Sequence, residues 1–418
     1  MKVVGLITEY NPFHLGHKYH LERAKSIANA NYTLAIMSGS FVQRGEPSFV
    51  DKWTKTKMAI DNGVDLVIEL PTIFSIQSAE LFAYGSIALL HQLNIVDYVA
   101  FGSELGNIDP LKEIAKVLAE EPPYFRENLR NNLNRGYSFA LARNNALKDY
   151  FCKYKIDSKY PIDIEEILKM PNNILAIEYL KALIKLNSNI KPITFKRIGS
   201  NYKEDVPTKK IASATGIRNK ILNQGIESII KHVPSETYNH LINYINNYKN
   251  FNTLDNYAHI INYLLRINGK SRLKEIMDVE RGLENRIIEK STEFNDLNNL
   301  IESIVTKRYV RTRIQRIFIH LMIGLTKSTF KNLLPHHPAY IRVLGANTKG
   351  FALLNKINKA SNIPVITKFS SYTKYKDPYL EEIISFDKKA TDLFFLGLNT
   401  SKPFMDMDYY TSPYILKK

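Results

Sequence analysis

Two histidines stand three positions apart near the start of the chain, in Thr8-Glu9-Tyr10-Asn11-Pro12-Phe13-His14-Leu15-Gly16-His17. Imidazoles at that spacing can face one phosphate group. They can donate hydrogen bonds to the charge that develops as pyrophosphate leaves. Gly16 lets backbone approach a ligand closely. Such pairs also decorate plain loops and occur in metal sites, so position decides. This pair follows a short apolar run (residues 3–7) and opens an amphipathic stretch (17–28). A helix start there exposes unpaired N–H groups and a positive dipole end, both suited to phosphate.

A second segment has compatible chemistry. Ile211-Ala212-Ser213-Ala214-Thr215-Gly216-Ile217-Arg218 follows Lys209 and Lys210. Hydroxyls at a helix start can bond phosphate oxygens, and Arg218 adds a fixed charge. Alone it reads as an ordinary Ser/Thr cap. Paired with the first motif it reads as a second phosphate clamp. Lesser candidates leave apolar runs the same way: Gln43 and Arg44 in Ser38-Gly39-Ser40-Phe41-Val42-Gln43-Arg44-Gly45, Gly102 and Glu104 in Phe101-Gly102-Ser103-Glu104, Asn172 and Asn173 after Pro171, and Arg197. Glu104 can orient a ribose or cap a helix. One of the two asparagines is an N-cap and the other is free to bond adenine.

The elements that must position these residues alternate. Apolar runs at 3–7, 32–37, 66–70 and 98–101 suit buried parallel strands. Amphipathic stretches at 17–28, 51–62 and 78–93 lie between them. This rhythm predicts an α/β fold with an N-terminal Rossmann-like parallel sheet, whose ligands bind at the carboxyl ends of the strands. Helical periodicity continues over 111–150 and 163–187, broken by Pro171, and residues 193–198 read as the last strand. Residues 1–225 form the expected nucleotide domain. Residues 226–418 form a mainly helical region, proline-free over 238–330, with a mixed tail to which no structure is assigned.

The 418 residues carry a net charge of +16 and 44% hydrophobic residues, enough apolar sequence for a full core. The single cysteine, Cys152, excludes an internal disulfide and a cysteine metal cluster and points to a reducing cytoplasm. The first residues are not a signal peptide, and no apolar run is long enough for a bilayer. The positive charge suggests an anionic partner. It concentrates in Lys307-Arg308-Tyr309-Val310-Arg311-Thr312-Arg313-Ile314-Gln315-Arg316. Lys307, Arg308, Arg311, Arg313 and Arg316 are five basic residues without an acid among them. They are expected to grip RNA phosphates from one helical face, with Lys307 above Arg311. His336 and His337 precede Pro338 without clustered acids, so no metal site is expected there.

The His-x-Gly-His after the first strand and the Ser-x-Thr-x-Ile-Arg segment resemble the HIGH-type nucleotidyltransferase superfamily. Further stretches narrow the resemblance to the bacterial tRNA(Met) cytidine acetate ligase family. They are residues 5–14, Ser38 to Pro47, Phe101 to Glu104, Pro171-Asn172-Asn173-Ile174-Leu175, Ile211 to Arg218, Lys307 to Arg316, and Arg342-Val343-Leu344-Gly345. The wider superfamily often has Phe-Asp-Pro in place of Tyr10-Asn11-Pro12 and Ser-Ser-Thr near Ser213; both departures fit the narrower family.

The resemblance implies a ligase that activates acetate with ATP as acetyl-adenylate, releasing pyrophosphate. It then acetylates the exocyclic amine of the wobble cytidine of elongator tRNA(Met) and releases AMP. His14, His17, Ser213, Thr215 and Arg218 would be catalytic. ATP would lie on Ile7, Thr8, Glu9, Tyr10, Asn11, Pro12, Phe13, His14, Leu15, Gly16, His17, Lys18, Tyr19 and His20, with Gly102, Asn172, Asn173 and Arg197. Mg²⁺ would be carried mainly by the phosphates. The alternatives are a small-molecule adenylyltransferase acting without RNA and an RNA-binding protein with a dead site. Intact His14, His17, Ser213, Thr215 and Arg218 oppose the second, and the helical region opposes the first. A class I tRNA synthetase would need a Lys-Met-Ser-Lys-Ser-like loop, which Ile211 to Arg218 is not.

Overall fold

The first hundred residues fold as alternating strands and helices because the short apolar runs suit buried strands and the amphipathic stretches between them form helices, two of which are closed at the start by side-chain caps, His14 and Asp51. The computed structural model describes residues 1–154, 163–197, 212–398 and 400–417. The strands are β1 (Val3–Thr8), β2 (Tyr32–Ser38), β3 (Phe41–Val42), β4 (Glu46–Pro47), β5 (Leu66–Leu70), β6 (Tyr98–Ser103), β7 (Lys191–Lys196), β8 (Ile341–Asn347), β9 (Val365–Ile366) and β10 (Tyr414–Leu416). The first helices are α1 (Leu15–Ala28), α2 (Lys52–Asp61), α3 (Thr72–Ser75), α4 (Ala79–Gln92), α5 (Ile108–Glu120), α6 (Pro123–Asn134), α7 (Phe139–Tyr154), α8 (Ile164–Lys169), α9 (Pro171–Lys185) and α10 (Ala214–Gln224). After them come α11 (Ser235–Tyr248), α12 (Ala258–Glu275), α13 (Leu283–Glu293), α14 (Leu297–Ile304), α15 (Arg311–Ile323), α16 (Lys327–Leu333), α17 (Thr348–Ala360), α18 (Pro378–Gly397) and α19 (Met407–Tyr410).

The main sheet runs β10-β8-β5-β2-β1-β6-β7, with β9 beside β8. All pairs are parallel except β5 with β8. Chain order reverses between β1 and β6, which opens a crevice at the carboxyl ends of those two strands. Successive residues alternate between two cores. Val3, Leu34, Ile36, Leu66 and Ile68 enter one. Val4, Leu6, Ala35, Met37 and Val67 enter the other.

Pro171 ends α8 and starts α9, as a proline at a first helical position should. The strand expected at 193–198 is β7, and Ile198 lies outside the described residues, as do Lys209, Lys210 and Ile211. Helices α11 to α16 fill the stretch read as helical. The tail, left without assigned structure, returns to the sheet: β8 pairs antiparallel with β5 (Leu66 opposite Ala346, Glu69 opposite Arg342), and β10 adds to β8. The sheet that begins at Val3 is thus completed by residues beyond 340. Among the described residues no helix is long and apolar enough to cross a membrane.

Candidate active site

The loop between β1 and α1 sits at the β1/β6 crevice. Tyr10 takes a left-handed backbone (φ +46) ahead of a cis Asn11–Pro12 bond. The Asn11 side-chain carbonyl accepts from Phe49 N–H at 2.6 Å. Tyr10 and Phe13 are fully buried and pack on the His17 ring at centroid distances of 5.0 and 5.7 Å. These aromatics are the floor on which His17 rests, although they fall within the expected ATP stretch.

His14 is the N-cap of α1 in extended conformation. Its Nδ1 accepts from Gly16 N–H at 3.0 Å, and His17 Nδ1 accepts from His14 N–H at 3.3 Å. This is a reciprocal capping box built from two imidazoles instead of a hydroxyl and a carboxylate. The rings stack 3.8 Å apart. Burial, then the Arg197 charge, pushes His14 down to about 3. Burial, then the charges of His14, Arg197 and His20, holds His17 well below its ordinary value. Both rings are therefore neutral at pH 7. With each Nδ1 accepting, each proton resides on Nε2; the His17 ring is also hydrogen-bonded to the Pro12 carbonyl, so its N–H is already engaged within the loop.

One expectation needs correction. The first N–H groups of α1 are not open to phosphate. Leu15 N–H donates to the His232 carbonyl at 3.2 Å, Gly16 N–H to the His14 ring, and His17 N–H to the His14 carbonyl at 2.8 Å. A buried helix end must satisfy its donors, and here the protein does so itself. The features left at this helix end that could meet an anion are the His14 Nε2–H and the helix dipole.

Arg218 brings the second segment to the first. It donates to the Asn11 carbonyl at 3.0 Å, pairs with Glu46 at 2.9 Å and reaches Thr215 Oγ1 at 3.4 Å. Ser213 Oγ accepts from Gly216 N–H at 3.1 Å as the N-cap of α10. Ser213 and Thr215 are exposed and Arg218 is half-buried. Thus Ser213 does what an ordinary cap does, while Arg218 clamps the histidine loop.

Across the crevice, Gly102 in β6 lies opposite Phe195 in β7. A Cβ on Gly102 would stand 2.7 Å from Arg197 Cγ, so the glycine seats the arginine stem. Arg197 is exposed at the strand end, and Lys18, Tyr19 and His20 are half-buried nearby. The His20 ring lies 5.1 Å from Phe195. Burial, then the Arg197 charge, pushes His20 down to about 4. Glu104 caps α9: it accepts from the backbone N–H of Asn172 (3.2 Å) and of Asn173 (2.8 Å), and from the Asn172 amide at 2.6 Å. The Asn173 side chain is buried between Leu105 N–H and the Ile167 carbonyl. Of the two asparagines, Asn173 is buried and Asn172 is half-buried. Glu104 is a helix cap, one of the two roles its position allows.

A family model described as HIGH Nucleotidyl Transferase matches residues 1–407. The chain is 42% identical over 420 residues to a protein of Clostridium perfringens (strain SM101 / Type A), covering 100% of both chains. It is 43% identical over 403 residues to one of Thermoanaerobacter sp. (strain X514), covering 96% of both. Both are named tRNA(Met) cytidine acetate ligase. The chain belongs to the tRNA(Met) cytidine acetate ligase family. Its fold matches Thermotoga maritima TmcAL, solved bound with alpha-thio ATP, with a TM-score of 0.93, 32% identity and full coverage of both chains.

A buried ionic cluster lies beneath the site, and four of its members, Lys52, Lys55, Glu69 and Asp408, fall outside the stretches that resemble the ligase family. Lys55 Nζ donates to the carbonyls of Glu9 (3.1 Å), Ser38 (2.7 Å) and Gly39 (2.9 Å) and to Ser48 Oγ (2.8 Å), tying together the ends of β1 and β2. Burial pushes Lys55 down to about 7 against the opposing charges of Glu9, Glu69 and Asp51. Lys52 pairs with Glu69 and with Asp408, each at 2.8 Å, and Arg342 pairs with Asp408 at 3.0 Å. Burial raises Glu9, opposed by Gln43 N–H, Lys55, Arg44 and Arg218, and Gln43 N–H donates to Glu9 at 2.8 Å. Lys52 and Lys55 lie in the amphipathic stretch 51–62, and neither is among the candidate site residues expected from sequence.

The basic run behaves differently from its expected form. Residues 305–310 are not helical, and α15 begins at Arg311, so Lys307 is not stacked one turn from Arg311. Acids from other elements meet the arginines: Glu280 pairs with Arg308 and Arg313, Glu302 with Arg311, and Asp278 with Arg316. Arg316 is buried, while Lys307 and Arg308 are exposed. From Ile314 to Leu321 every residue of α15 is buried. The turn at Gly45 (φ +76) lies against it, where a Cβ would stand 2.3 Å from Arg316 N. His336 stacks on Tyr379 and His337 bonds the Gly85 carbonyl at 2.9 Å. Among the described residues no cluster of three metal-ligating side chains occurs.

Proposed function

We propose that this chain is an ATP-dependent ligase that makes acetyl-adenylate from acetate and ATP, releasing pyrophosphate, and then acetylates the exocyclic amine of the wobble cytidine of elongator tRNA(Met), releasing AMP. The observation that carries it is the imidazole capping box of His14 and His17 at the strand-order reversal. Two neutral rings of fixed tautomer, the His14 Nε2–H foremost because the His17 ring is also bonded to the Pro12 carbonyl, meet the charge that develops on the departing pyrophosphate. They need no reorganisation as the charge grows. Arg218 holds the histidine loop and adds a cation beside Thr215. Ser213 fixes the helix that carries both. Gly102, Asn172 and Arg197 line the adenosine side of the crevice.

The ligand-edge acids are engaged by the protein, Glu9 by Gln43 N–H and Glu104 by α9. That supports Mg²⁺ arriving on the ATP phosphates, where it would neutralise their charge. For RNA, exposed Lys307, Arg308 and Arg311 are the members of the basic run available to phosphate. Their pairs with Glu280 and Glu302 lie in solvent, where ion pairs are weak and exchangeable. Arg313 and Arg316 set the geometry of that segment. A tRNA-modifying ligase works where tRNA is, in the cytoplasm.

The test is nucleoside analysis of tRNA(Met) after incubation with the protein, ATP and labelled acetate, alongside acetate-dependent pyrophosphate exchange without tRNA. Label in acetylated cytidine at the wobble position is the expected result. Exchange without any transfer to tRNA would assign the chain to small-molecule adenylylation instead.

A further inference from the structure

The α6–α7 hairpin carries a surface that the active site does not use. Leu133, Tyr137, Phe139 and Leu141 lie within nine positions and are 40%, 43%, 57% and 47% exposed. Isolated exposed apolar groups are ordinary, but a cluster at one tip marks a contact surface. Arginines flank it. Arg126, Arg130 and Arg135 are exposed and have no ion-pair partner among the described residues. Glu127 is the single acid between Pro122 and Leu141. The hairpin is fixed to the body through Phe125, Ala146 and Leu147, which are buried in the core. Arg143 pairs with Glu178 of α9 at 2.8 Å. Asn172, at the nucleotide edge, is six residues along α9 from Glu178, about 9 Å at 1.5 Å per residue. Phe139 is four residues along α7 from Arg143, about 6 Å.

We infer that the tip of this hairpin binds unpaired nucleotides of the tRNA substrate, with Tyr137 and Phe139 stacking on bases and Arg130 and Arg135 contacting phosphates. This rests on the ligase reading above. Bases presented for modification are unstacked from a duplex, and proteins hold such bases on aromatic faces beside cationic groups. The charge selects this occupant over a second copy of the chain. Self-association would bring two sets of unpaired arginines together, which like-charge repulsion disfavours. RNA supplies the missing anions. The arginines of the run from Lys307 to Arg316 have their own acids, whereas these arginines have none among the described residues.

The experiment uses the full chain, with Tyr137→Ala/Phe139→Ala and Arg130→Gln/Arg135→Gln as two double variants. It measures tRNA(Met) affinity against salt, pyrophosphate exchange without tRNA, and molecular mass by light scattering. The aromatic variant should bind tRNA roughly 10- to 100-fold more weakly with the salt slope retained. The arginine variant should flatten the log–log salt slope by about 0.7 to 0.9 for each phosphate it no longer holds. Both should exchange pyrophosphate at wild-type rates, and Phe139→Trp should keep its affinity. Wild-type acetylation with unchanged tRNA affinity in both variants overturns the hairpin assignment alone. So does exchange that falls in parallel with binding, or a dimer turned to monomer at unchanged tRNA affinity. A wild-type chain that exchanges pyrophosphate but neither binds nor acetylates tRNA overturns the ligase reading, and the hairpin assignment with it.

Discussion

His14 has two jobs, on two different atoms. Its Nδ1 caps α1 through Gly16 N–H, and its Nε2–H remains for a ligand. The jobs can be separated. His14→Asn keeps a side-chain acceptor for the cap, since Asn is among the best N-caps. It should leave the melting temperature near wild type yet slow acetate-dependent pyrophosphate release by about 100-fold or more. His14→Ala should lose the same activity and also about 1 kcal/mol of stability. Thermal melts and exchange rates on the two variants check this. An Asn variant with normal turnover would remove His14 from the chemistry. The spacing of the two histidines was enough to predict that they lie together, and their rings do stack 3.8 Å apart. It could not tell that their Nδ1 atoms are consumed by the backbone, because that depends on the extended conformation of His14 (φ −140, ψ 176). Nor could it tell that Ser213 is a cap and Arg218 a tether, since a hydroxyl and a guanidinium at a helix start serve either purpose.

Strands and helices of the nucleotide half were legible because periodicity, Gly63, Pro171 and the cap residue Asp51 each mark an end. Packing between elements was not. Gly102 shows why: a glycine in a strand signals close approach without saying of what, and the partner is the Arg197 stem, nearly a hundred positions away. Gly102→Ala should therefore displace Arg197 and raise KM for ATP several-fold while the fold survives, because the clash is with a flexible side chain. Steady-state kinetics with a melting curve test this, and an unchanged KM would remove Gly102 and Arg197 from the ATP site. The cap of α9 makes a paired prediction. Asn172→Ala should weaken ATP use with little loss of stability. Asn173→Ala should cost about 1 to 3 kcal/mol, because it leaves Leu105 N–H and the Ile167 carbonyl without their partner in the interior. If Asn173→Ala instead hurts ATP affinity and not stability, the assignment of the two residues is reversed. The run from Lys307 to Arg316 looked like one basic helical face because sequence shows the charges of one segment and hides Asp278, Glu280 and Glu302, which meet it from others.

At the scale of the molecule, the tail closes the sheet. Nothing in residues 341–347 distinguishes a strand that joins β5 from one that starts a new domain, because pairing antiparallel to an existing edge is a choice of topology and not of composition. What fixes the choice is the buried ionic cluster in which Arg342 of β8 and Asp408 of α19 meet Lys52 of α2 and Glu69 of β5. The same α2 carries Lys55, whose bonds hold the loops after β1 and β2, so the tail and the histidine loop are braced by one helix. Asp408→Asn removes the carboxylate shared by Lys52 and Arg342 and leaves two buried cations short of a partner. Breaking a buried pair in this way costs about 3 to 5 kcal/mol, and for a chain of this length the melting temperature should fall by roughly 3 to 6 °C. The pH dependence follows from the same geometry. Burial alone would raise the Asp408 carboxyl, but Lys52 and Arg342 outweigh it and hold it below its ordinary value of 3.8. A carboxyl lowered on folding stabilises the protein above its unfolded pKa, and that contribution is lost as pH falls through the folded value. The difference in stability between wild type and Asp408→Asn should accordingly be constant from about pH 5 to 8 and shrink below about pH 4. Denaturant melts across that range measure it. A difference that persists undiminished into acid would mean that Asp408 acts through packing and not through its charge. If Asp408→Asn also slows pyrophosphate exchange, the brace through α2 reaches the active site; unchanged exchange at a lowered melting temperature would confine the cluster to holding the tail.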